Sequence, residues 1–221
     1  MGIRAEKYVS IALFSFIYLG WALLVLYPSP SLLVQSLYRL HNPPLDRVLV
    51  ADFAAELLDY PPDSIKERVY SQLPYSYDWH TYSMPWYFPT LEEALEQGRG
   101  DCKARYLLFA SILEELEIPY QKNVSLHHIW VGYEGKQDNL LENSAEAFVS
   151  YDDQGRAKFS LPYTNLRNLS TTLHHSFWEI MPQSKKLSLI LGFLAAFILS
   201  KPVSANPKSH QGKPRKSGAA L

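Results

Sequence analysis

The chain has one cysteine, Cys102. It stands within residues 98–119, GRGDCKARYLLFASILEELEIP, behind a Gly-Arg-Gly-Asp and at the start of a strongly helical run. The N-terminus of a helix presents unpaired N–H groups and the positive end of its dipole. A thiol placed there has a lowered pKa and a larger thiolate fraction, and the same N–H groups can receive an oxyanion. Cys102 is therefore a candidate nucleophile, expected to be accessible and to ionise below the ordinary thiol value of about 8.5. Lys103 should favour the thiolate, whereas Asp101 opposes it unless that carboxylate turns to cap its own helix. The competing reading is a buried, inert cysteine in a helix cap.

A cysteine nucleophile needs a base, and the base needs an orienting acceptor. His128 follows the cysteine helix in a stretch that reads as a strand, where packing against that helix is ordinary. His127 is the rival base, on the opposite face. Trp130 shares the face of His128 and would wall off the site, so His128 is preferred. Hairpin geometry supplies the third member. A loop Glu134-Gly135-Lys136 sets Glu142 opposite His128, and a loop Gly135-Lys136 sets Asn143 there instead. Opposed residues project on one side of a sheet, and the sequence alone does not choose the register. Trp86 and Trp130 are candidate substrate-binding residues, while Trp79, Trp86 and Tyr87 are candidate upstream oxyanion donors. His174-His175 reads as an interfacial pair, because no third ligand has clear metal-site spacing.

Several elements must position these groups. Residues 47–58 and 65–73 have helical spacing, the second opened by Asp63-Ser64. Residues 75–89, YSYDWHTYSMPWYFP, read as an irregular aromatic loop. Thr90 with Glu93 forms a capping box ahead of a helix over 91–97, ended by Gly98 and Gly100. The cysteine helix begins at Asp101 or Cys102, and Pro119 stops it. Its inward face carries Tyr106, Leu107, Ala110, Leu113 and Leu116. Residues 124–131 alternate as one strand with both faces occupied. Further strands are expected over 140–143, 147–151 and 157–161.

The 221 residues are 47% hydrophobic and 14% aromatic with a formal charge of -1. They can supply a core, and they give no electrostatic footprint for nucleic acid. One cysteine excludes an intrachain disulfide framework and a Cys-rich zinc site. Residues 8–27 carry no charge and are long enough to cross a hydrocarbon core. Arg4 and Lys7 precede them, which puts the N-terminus in the cytoplasm. The run is long for a signal-peptide core, and YPSPS lacks a cleavage site. Residues 187–200 form a shorter apolar segment between Lys186 and Lys201, followed by a basic tail that suits the cytoplasm. The expected organisation is an anchor over 1–28, a linker over 29–44 with a short helical piece at 31–40, and a folded domain over 45–180. A short transmembrane helix over 187–203 and a disordered basic tail over 204–221 complete it.

Residues 86–105 (WYFPTLEEALEQGRGDCKAR), HIWV at 128–131 and LLEN at 140–143 together resemble the core of the transglutaminase-like superfamily. Their closest likeness is to the bacterial transglutaminase-like cysteine proteinases, over roughly residues 60–150. The resemblance implies an α+β, papain-like core with the cysteine helix packed on an antiparallel sheet, here between membrane segments. It implies Cys102 as nucleophile, His128 as general base and acid, and an orienting acid. This chain has Glu142 where the family usually has Asp. The implied activity is hydrolysis or acyl transfer at a peptide or protein amide through a thioester, on the extracytoplasmic side. It calls for no cofactor and no metal, and it leaves the oligomeric state open. The alternative is an inactive scaffold module of the same fold at the membrane.

Overall fold

The computed structural model describes residues 2–125, 128–137, 139, 142–143, 147, 149–151, 157–159, 171 and 174–201. Within them the protein is α+β. Seven helices come first: α1 (Gly2–Leu26), α2 (Ser31–His41), α3 (Arg47–Ala55), α4 (Pro62–Gln72), α5 (Asp78–Thr81), α6 (Leu91–Gln97) and α7 (Cys102–Glu115). Four strands follow, β1 (Tyr120–Val124), β2 (Ile129–Tyr133), β3 (Val149–Tyr151) and β4 (Ala157–Phe159), and then helix α8 (Gln183–Leu199).

Helix α7 is the centre of the domain, packed by α3, α4, α6 and β2. It was expected to bury one face, but every residue from Lys103 to Leu113 except Arg105 is buried. Enclosure by helices and sheet together removes the solvent face that amphipathic spacing assumes. Its N-cap is Asp101, whose side chain accepts from the Lys103 N–H at 2.9 Å. At the other end Ile118 N donates to Leu113 O and Glu117 N to Glu114 O, with Glu117 left-handed at φ 55°. This is a Schellman ending built on Glu in place of Gly. It stops the helix before Pro119.

The strands form one antiparallel sheet in the order β2-β1-β3-β4. The single strand expected over 124–131 is instead a hairpin, in which Val124 pairs with Ile129 and Tyr120 with Tyr133. Ser125 closes it. Its N–H donates to His128 O at 2.8 Å, and its hydroxyl accepts from the His128 N–H at 3.1 Å. A serine that satisfies the turn backbone competes with strand continuation. His128 thus stands at the mouth of β2 and not within a strand, and His127 lies outside the described residues. The expected pairing of β2 with 140–143 is not seen either: Glu142 and Asn143 lie outside the strands, and Leu140 and Leu141 lie outside the described residues.

The helical piece expected within the linker is α2, and it is bound into the domain. Buried Ser36 accepts from the Phe88 N–H at 3.0 Å, and Arg39 reaches Phe88 O, Tyr87 and Glu93. Glu93 completes the capping box with Thr90.

Helix α1 is long and apolar enough, over Tyr8–Leu26, to cross a membrane. It runs antiparallel to α8: Phe14 and Tyr18 meet Phe193 edge-on, Trp21 Nε1 donates to Ser188 O at 2.9 Å, and Lys185 Nζ donates to Val25 O at 2.9 Å. Gly192 lets the indole of Trp21 approach, since a Cβ there would sit 2.0 Å from it. Away from this seam both helices expose large apolar side chains, including Phe16, Leu19, Leu24, Leu194, Ile198 and Leu199.

Candidate active site

Cys102, His128, Glu142 and Trp130 line one cleft, together with Lys66, Tyr70, Tyr75 and Arg105. The cleft encloses about 380 Å³, part of it open to solvent. Cys102 is the first residue of α7, so its N–H belongs to the turn that has no intrahelical acceptor. The N–H of Ile129 donates to its sulfur, which ties the thiol to the residue after His128. Trp130 is buried and stacks on the imidazole of His128, centroids 5.7 Å apart at 16°. Its Nε1 is buried with no hydrogen-bond partner among the described residues.

Glu142 reaches this site by a route other than the expected hairpin. It sits in irregular chain after β2, and its N–H donates to Asn139 Oδ1 at 2.9 Å. One carboxylate oxygen lies 3.8 Å from His128 Nε2 and accepts from Tyr70 Oη at 3.1 Å. The other meets Lys66 Nζ at 2.5 Å and Lys136 Nζ at 3.3 Å. Burial alone would raise this carboxyl. The imidazole of His128 beside it, the hydrogen bond from Lys66 and the charges of Lys66 and Lys136 outweigh that and hold it well below the usual carboxylate range. Asn143, the alternative third member, does not line the cleft.

The thiol departs from expectation. Cys102 keeps part of its surface open, yet its surroundings push the thiol up to about 12. Burial is the largest cause, and the Asp101 charge adds to it. Lys103 and the Ile129 N–H pull the other way and lose. Lys103 cannot act as the free cation the sequence suggests, because it is buried between two carboxylates. Its Nζ bonds Asp78 Oδ2 at 2.9 Å and also Asp101. Asp78 is pushed up to about 7 by burial and by the charge of Asp101, against Lys103. Its Oδ2 also accepts from the Tyr87 N–H, and its Oδ1 has no partner among the described residues.

The aromatic candidates upstream are engaged elsewhere. Trp86 does not line the cleft and is left-handed at φ 46°. Trp79 Nε1 donates to Phe177 O at 3.0 Å, beside the start of α8. The Tyr87 hydroxyl bonds Glu93. The side chains that do complete the cleft, Lys66 and Tyr70, were missed by sequence reasoning. Their signal was an i, i+4 pair on one face of α4. His174, His175 and Glu179 bring three potential metal ligands within 4.8 Å on an exposed turn, Glu179 being the third donor that spacing did not reveal.

No protein-family model, no curated protein and no solved structure matches this chain.

Proposed function

We propose that the protein is a membrane-anchored thiol hydrolase or acyl transferase of the transglutaminase-like kind, acting on a peptide or protein amide. The observation that carries this reading is the convergence of Cys102, His128 and Glu142 on one cleft at the start of a helix. A central cysteine helix against an antiparallel sheet agrees with the papain-like arrangement the resemblance implies.

The raised thiol sets the order of events. The sulfur rests as S–H, so the proton must leave as the sulfur attacks. Its lone pair forms the S–C bond, the carbonyl π electrons move to oxygen, and His128 takes the proton. The N–H groups at the start of α7 face the developing oxyanion. His128, oriented by Glu142, then gives its proton to the departing amine, leaving a thioester. Water or a second amine resolves it. Helices α1 and α8 form the membrane element as two antiparallel spans. Arg4 and Lys7 at one end, and the cations from Lys201 at the other, favour a cytoplasmic side for both termini and so the cleft outside. Cleavage of a C-terminal tag by protease added to intact cells would remove the second span.

A second reading is a catalytically silent binding module. It draws on the distances at Glu142, whose carboxylate lies closer to Lys66 and Tyr70 than to His128. One experiment separates the two. The full chain in detergent is incubated with p-nitrophenyl acetate and its intact mass followed, with and without a primary amine. Enzymatic chemistry places an acetyl on Cys102, absent in Cys102→Ala, and discharges it to water or to the amine. An unmodified folded Cys102 supports the silent module.

A further inference from the structure

The charged groups around the cleft do not balance. Among the described residues, Lys66 and Arg105 line it as cations and Glu142 as the single carboxylate. Glu142 is already engaged by Lys66, Lys136, Tyr70 and His128. Arg105 is half-buried. Its Nε donates to Leu73 O at 2.9 Å, and its guanidinium carbon lies 4.3 Å from the ring centroid of Tyr70 and 5.3 Å from that of Tyr75. No carboxylate among the described residues comes within the 4.0 Å of an ion pair with it.

A guanidinium fixed at Nε against two aromatic rings has lost most of its rotamer freedom before any ligand arrives. Its remaining N–H groups form a rigid fork matched to a planar anion. Binding there carries little ordering cost. Arg105 follows Cys102 by three residues on α7, which puts the two on one face with Cβ atoms about 5–6 Å apart. Both side chains line the same cleft, so an anion held by the fork shares that cleft with a carbonyl at the sulfur.

We propose that Arg105 is the substrate anchor of this cleft, and that the acyl substrate carries a carboxylate beside the bond that Cys102 attacks. The carboxylate is either a peptide's own terminus or an acidic side chain. This rests on the enzymatic reading above. It also predicts binding that needs no catalysis.

The test is ligand-observed NMR on the full chain in detergent micelles with three acetylated dipeptides. One has a free terminal carboxylate, one has an Asp side chain and an amidated terminus, and one is neutral and amidated. At least one carboxylate peptide should bind about 10- to 100-fold tighter than the neutral one, the range for a charge-assisted pair. Which one binds identifies the source. Arg105→Gln should erase that preference, and Arg105→Lys, which keeps the charge but not the fork, should keep a fraction of it. Equal binding of all three peptides by the wild type, absence of any binding, or a preference unchanged in Arg105→Gln would overturn the assignment. So would inorganic phosphate displacing the carboxylate peptides as well as they displace one another. The wild-type comparison and Arg105→Lys decide the matter if Arg105→Gln does not fold. Acetylation of Cys102 by a neutral ester needs no anchor, so its failure would strike the enzymatic reading and leave the binding result standing.

Discussion

Two lysine–carboxylate clusters flank Cys102, and they are opposites in stoichiometry. At Glu142 two lysines serve one carboxylate. At Lys103 one ammonium serves two carboxylates, Asp78 and Asp101. Burial raises the carboxyl in both clusters and is the largest cause of the rise of Asp78 to about 7, whereas at Glu142 it is outweighed. The ratio of charges decides whether burial is outweighed. Surplus cations keep Glu142 ionised and able to orient His128. At the sulfur, burial and then the surplus carboxylate keep the thiol protonated. On the proposed enzymatic reading, one cluster holds the base in place and the other, with burial, sets the resting state of the nucleophile.

Removing the charge on the first side should have the largest effect. Glu142→Gln keeps the shape but removes the negative charge that faces His128, and acylation of Cys102 should slow by roughly 10²- to 10⁴-fold. Stopped-flow release of nitrophenolate measures it. A rate within a factor of two of wild type would mean that the carboxylate belongs to Lys66 and not to the triad.

On the second side, Lys103→Met leaves Asp78 and Asp101 facing each other without a cation. Breaking a buried pair in this way costs about 3–5 kcal/mol. Thermal unfolding in detergent should show a fall of roughly 10 °C. An unchanged midpoint would show that the cluster is open to water.

The two clusters should also impose opposite pH dependences. Asp78 titrates higher in the fold than in the unfolded chain, so its contribution to stability is complete below about pH 4 and is lost as pH rises toward 7. Glu142 titrates lower in the fold, so its contribution is present above about pH 4 and is lost as pH falls. Relative to wild type, Asp78→Asn should gain stability between pH 5 and 8, whereas Glu142→Gln should lose most at neutral pH and little in acid. Parallel curves for the two variants would contradict the charge-ratio explanation.

What the sequence reveals about this site depends on how far apart the interacting residues lie. The capping box at Thr90, the start of α7 behind Asp101 and the apolar run of α1 rest on local rules, and they are legible. The break at Ser125 is local too, but a serine inside an alternating stretch is ambiguous until its hydroxyl is seen to accept from His128 N. Glu142 could be named from hairpin geometry although that hairpin does not form; the chain brings it to His128 by a bend. The low carboxyl of Glu142 and the high thiol of Cys102 were not legible. The first depends on Lys66, 76 positions away, and the second on enclosure of the sulfur and on Asp101 staying beside it. The sharing of Lys103 with Asp78 likewise spans 25 positions.

The most direct measurement is the rate of Cys102 acetylation by p-nitrophenyl acetate in wild type and in His128→Ala, followed from pH 6 to 10. With a thiol that rests protonated and a histidine that takes its proton during attack, wild type should react at pH 7. His128→Ala should be slower there by roughly 10²-fold or more. The variant should regain rate only as pH climbs toward the thiol's own ionisation near 12. Equal rates in the two proteins across that range would contradict a working Cys102–His128 pair.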